Sequence, residues 1–68
     1  MTESSAYDYR ERLHRLGHVT ARVDAATFSL EVHDPLGPAG RNAAGEIVAW
    51  RVYESTVELE GSYPEVAA

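Results

Sequence analysis

No cysteine occurs anywhere in the sequence. That absence excludes disulfides, thiolate-held zinc and thiol nucleophiles together. Lysine is missing as well, so all six basic residues are arginines, and eleven acids outweigh them to a formal net charge of −5. Such a balance lacks the dense positive charge that drives nonspecific binding to a phosphate backbone. No apolar run approaches the ~20 residues that a membrane-spanning helix needs. The first residues, Met1 to Ser5, are polar and acidic, unlike a secretory leader, so a cytoplasmic location is expected. Lysine-free, alanine-rich usage fits the coding of a GC-rich bacterial or phage genome.

What is present belongs to one small folded domain. The chain has 68 residues, of which 44% are hydrophobic and 25% charged, ordinary values for a soluble globular protein. At this size roughly 60% of the unfolded chain's surface is buried on folding. A single core of that kind rarely supplies more than about 3–5 kcal/mol. With no disulfide available, tight packing and self-association are the remaining sources of stability.

Read in order, residues 1–4 form a tail and Ser5 is the expected helix N-cap, with Asp8 in the capping-box position. Ala6, Tyr9, Leu13 and Leu16 recur every three or four residues, which predicts a helix over 5–16 with one apolar stripe. Asp8–Arg12 and Glu11–Arg15 are acid-before-base pairs on its other face. Gly17 closes it. Val19, Ala21 and Val23 then alternate with polar neighbours, predicting a strand over 18–24. Phe28, Leu30 and Val32 do the same over 27–33. The short link between them, in which Asp24 can accept from a backbone N–H, makes the two an antiparallel hairpin. Residues 34–45 have no periodicity and read as a loop. It opens with the β-turn sequence Asp34-Pro35-Leu36-Gly37 and ends in a possible second turn, Asn42–Gly45.

The stretch from Glu46 to Tyr53 organises the rest. Val48, Trp50 and Val52 share one parity and Ile47, Ala49 and Tyr53 the other, so a strand here needs cover on both faces. Its continuation to Glu60 gives one long strand over 46–60, bent near Glu54, or a strand pair if Glu54-Ser55 turns; 61–68 is a tail. The expected fold is α+β, an N-terminal helix packed on an antiparallel sheet of three to four strands. One three-turn helix covers one sheet face. The other face would then expose Val48, Trp50 and Val52, the kind of apolar patch that marks an interaction site.

Motifs for chemistry are lacking. His14 and His18 have helical ligand spacing and His33 offers a third imidazole, but Gly17 falls between the first two and no His-Glu-x-x-His pattern occurs. Gly37, Gly40 and Gly45 are not followed by Lys-Ser/Thr, so they make no phosphate loop. Glu54, Glu58 and Glu60 would line one face of an exposed strand, solvated and without the displaced pKa values that acid–base catalysis needs. No metal, cofactor or catalytic residue is therefore expected. The expected function is that of a non-enzymatic protein-binding module, a homodimeric accessory or regulatory protein. Its contact residues would be Val48, Trp50 and Val52, with Arg41 and Asn42 beside them. Glu54, Glu58 and Glu60 form an acidic rim suited to a basic partner. Two alternatives are a nucleic-acid-associated regulator using Arg10, Arg22 and Arg41, and a small enzyme with a site between subunits that involves Tyr53 or a histidine. A gel-shift titration separates the first alternative: phosphate contacts should lose affinity steeply as salt rises, and a binding module should give no shift at any salt.

Overall fold

The computed structural model describes residues 1–36 and 40–67. Gly37, Pro38 and Ala39, which belong to the expected 34–45 loop, lie outside the described residues. Two helices, α1 (Glu3–His14) and α2 (Thr56–Ser62), flank three strands, β1 (Thr20–Val23), β2 (Leu30–His33) and β3 (Arg51–Tyr53), and a 3₁₀ turn spans Pro64–Ala67. The strands form one antiparallel sheet in the order β1-β2-β3, giving a small α+β fold. No described helix is long and apolar enough to cross a membrane.

α1 begins earlier than the apolar stripe alone predicts. Thr2, not Ser5, is the N-cap: its hydroxyl accepts from the Ser5 N–H while the Ser5 hydroxyl accepts from the Thr2 N–H. This reciprocal box draws Glu3 and Ser4 out of the expected tail and into the first turn. Asp8 pairs instead with Arg12 at 2.8 Å. The helix ends at His14, short of Leu16, and Gly17 follows with φ +85°, the left-handed conformation that ends a helix most readily at glycine.

β1 and β2 pair with Ala21 opposite Val32 and Arg22 opposite Glu31. The hairpin connection is held by Asp24, whose carboxylate accepts from the Ala26 N–H and whose carbonyl accepts from Phe28 N–H. Phe28 has φ +56°, a left-handed value rare outside glycine, asparagine and aspartate. A residue so placed cannot continue a strand, and β2 therefore starts at Leu30 and not at Thr27.

The larger difference lies in 46–60, where the expected long strand is replaced by three pieces. Residues 41–47 make their own small hairpin: Arg41 bridges Ile47, and Asn42 Oδ1 accepts from the Ala44 and Glu46 N–H groups. Only Arg51–Tyr53 pairs with β2, Val52 standing opposite Glu31. Ser55 then caps α2, its hydroxyl accepting from the Glu58 N–H. Ser55-Thr-Val-Glu58 is a capping-box sequence, and it overrides the period-two pattern of Val57 and Leu59. A helix separates these two residues by 200°, so Leu59 is fully buried while Val57 is 78% exposed. The residues expected as a tail complete the core, because Val66 of the 3₁₀ turn is buried.

The core joins the inner sheet face (Ala21, Leu30, Val32, Tyr53) to Leu13 of α1, Leu59 of α2 and Val66. Polar ties run along its rim. The Tyr9 hydroxyl donates to Glu60, and Arg12 donates to the Val66 carbonyl at 2.9 Å. Leu59→Ala should cost about 2–5 kcal/mol, as much as the whole fold is worth, whereas Val57→Ala should stay within about 0.5 kcal/mol. Urea denaturation of the two variants checks this; equal costs would restore a strand with both side chains on one face.

Candidate functional site

The outer sheet face carries two of the predicted contact residues, Trp50 and Val52. Across β1, β2 and β3 the side chains of Arg22, Glu31 and Val52 stand in one row. Arg22 closes a salt bridge to Glu31 at 2.7 Å and lays its guanidinium 4.1 Å from the centre of the Trp50 ring. The indole is held from other directions too. It meets the His33 ring edge-on at 6.4 Å, and its N–H donates to the Ile47 carbonyl at 3.2 Å. Trp50 is consequently half-buried by its own chain, not laid open as a lone helix on one side would leave it.

His33 shows why. Alternation assigns it to the wet face, yet it is only 5% exposed. The connection after β2 folds back over it. Gly40 sits so close that a Cβ there would come within 2.8 Å of Ala49 Cβ and 3.1 Å of His33 Nδ1. Its carbonyl also accepts from both Val48 and Ala49 N–H groups, at 2.6 and 3.3 Å. Glycine is required at this close approach. The same cover stops short of the valines, for Val48 is 61% and Val52 49% exposed.

The other predicted contact residues divide. Arg41 and Asn42 are exposed on the small hairpin, with Arg41 donating to the Gly45 carbonyl and Asn42 to the Glu46 carboxylate. Glu54, Glu58 and Glu60 do not form a row, because the strand that would have aligned them is absent. Glu54 follows β3, Glu58 lies in the first turn of α2, and Glu60 turns inward to Tyr9. That hydrogen bond, the leading cause, raises the Tyr9 phenol above its ordinary value. The arginines are likewise dispersed: Arg10 stacks on Tyr7, Arg22 on Trp50, and Arg41 on its own turn.

A cleft of about 440 Å³ opens where β3 diverges from β2, and no single stretch of sequence points to it. Its walls include His33, Asp34, Trp50, Arg51, Tyr53 and Tyr63. Asp34 is fully engaged: one carboxylate oxygen accepts from the Leu36 N–H, the other from the Tyr63 hydroxyl at 3.0 Å, with His18 Nε2 3.9 Å away. Ser62, His33 and Asp34 share the cleft, but among the described residues no hydrogen bond links them into a nucleophile–base relay. Nor do three potential metal ligands cluster among the described residues.

Desolvation, and then the bond to Asp34, push the Tyr63 phenol from 10 up to about 12. The folded state thus holds this proton more tightly than the unfolded one. Its contribution is complete below pH 10 and is lost as pH rises to about 12. Tyr63→Phe should be less stable than the parent by about 1 kcal/mol at neutral pH. In denaturation series the gap between the two should narrow between pH 10 and 12. A constant gap would mean that the phenol is not held by Asp34.

Searches against protein-family models, curated proteins and solved structures find no match to this chain, and its function is therefore argued from its own residues.

Proposed function

We propose that the protein is a non-enzymatic protein-binding module that acts as a homodimer through its outer sheet face. The observation that supports this reading is the pair of exposed valines, Val48 and Val52, that flank the half-buried Trp50 in sequence. Together the two half-exposed valines forgo about 1.5–2 kcal/mol of burial, a sizeable share of the stability available to a domain this small. Trp50 is braced by Arg22 and His33, so it presents a rigid aromatic surface with little side-chain entropy left to lose. Beside this strip the Arg22–Glu31 pair supplies a polar rim, and the exposed Arg41, Asn42, Glu54 and Glu58 are further polar groups a partner could meet elsewhere on the surface. A surface suited to binding supports an accessory or regulatory role.

Val52→Lys tests the contact. In a two-fold dimer it removes the burial of two valines that are each half-exposed in the monomer, about 1.5 kcal/mol together. It also sets two like charges against each other, so association should weaken at least about 10-fold. Sedimentation equilibrium should show the parent as a dimer at micromolar concentration and the variant as a monomer with an unchanged circular dichroism spectrum. A parent that weighs as a monomer up to hundreds of micromolar would refute the homodimer.

A further inference from the structure

We propose that β3 pairs antiparallel with β3 of a second copy, with Val52 on the two-fold axis, so that two three-stranded sheets join into one of six strands. The inference rests on the homodimer reading above and gives it a geometry. β3 is last in the order β1-β2-β3, so its far edge pairs with no described strand. Among the described residues no side chain bonds to the backbone of Arg51, Val52 or Tyr53. A row of open N–H and C=O groups of this kind is a template for another strand. The opposite edge differs, because on β1 the Ala21 carbonyl is engaged by His14 Nε2 at 3.1 Å. The outward side chain of β3 is the half-exposed Val52, whereas those of β1 are Thr20 and Arg22.

Symmetry and charge then select the register. A two-fold antiparallel pair places one residue opposite itself, and β3 offers three choices. Arg51 at the axis opposes two guanidinium groups, which is destabilising. Tyr53 at the axis brings Ser55 into the ladder, although Ser55 is already the cap that turns the chain into α2. Val52 at the axis avoids both, and its ladder ends at Glu54, whose carbonyl already accepts from the Met1 ammonium at 2.8 Å. It sets Arg51 across from Tyr53 of the second copy, an uncharged residue whose ring is buried in its own core, so the guanidinium meets no like charge there. It sets Trp50 across from Glu54, and no like charges meet. The two Val52 side chains, each 49% exposed, cover one another on the outer face.

Because the chain has no cysteine, a single introduced one is its only thiol. In this register the two Cα atoms of residue 52 stand about 5 Å apart, inside disulfide range, while those of residue 51 are offset by two residues to about 8 Å, beyond it. Under mild oxidation at micromolar concentration, Val52→Cys should form covalent dimer at least about ten-fold faster than Arg51→Cys or Val57→Cys, the last an exposed control on α2. The amides of Arg51–Tyr53 in the unmodified protein should also exchange more slowly as concentration rises. If the parent sediments as a dimer but Arg51→Cys links faster, or Val52→Cys links no faster than Val57→Cys, this pairing is wrong and the homodimer stands. A parent that sediments as a monomer removes both.

Discussion

A sheet has two faces, and this chain has material to cover one of them fully. The inner face takes everything that helices and terminal turn provide: Leu13, Leu59 and Val66 close over Leu30, Val32 and Tyr53. What remains for the outer face is a loop. It reaches back far enough to bury His33 and to brace Trp50, and there it stops. Most other features of the molecule follow from this shortage. A short strand order leaves β3 at an edge, and the two valines beside Trp50 face water.

Polar groups make up part of the deficit. The Arg22 guanidinium serves Glu31 and the indole together, which turns a charged side chain into cover for an aromatic one. Tyr9 with Glu60, Arg12 with the Val66 carbonyl, and Tyr63 with Asp34 tie the C-terminal third to the helix and hairpin that precede it. The Arg12 and Tyr63 bonds are each worth about 1 kcal/mol net, so the two together approach the low end of what one buried leucine contributes.

Local chemistry made much of the fold legible. Gly17 marked the end of α1, and the alternation of Val19, Ala21 and Val23 with that of Leu30 and Val32 placed the hairpin. Two kinds of feature were not readable in that way. The first is a contest between signals: Val57 and Leu59 satisfied a strand period, but Ser55 and Glu58 carried a helix start, and one hydroxyl on one backbone N–H decided the outcome. The second is cover from a distance. His33 looked wet because it shares the parity of Glu31, opposite to the apolar Leu30 and Val32; what buries it comes from Gly40 and Trp50, which alternation cannot see. The cleft beside Asp34 has the same origin, assembled from β2, β3 and the α2 terminus.

The left-handed Phe28 bears on the order in which these parts are made. Everything from α1 through β2 is contiguous, so its contacts close short loops and form early, once the Phe28 backbone has accepted a conformation that most residues resist. β3 must instead be brought across the whole 34–50 connection, paying a larger loop-closure entropy before Val52 meets Glu31. Until β3 is in place, β2 is an open edge along the side that β3 occupies in the fold. The β3 of a neighbour fits that edge as well as the chain's own does, and taking it would exchange strands in place of adding them.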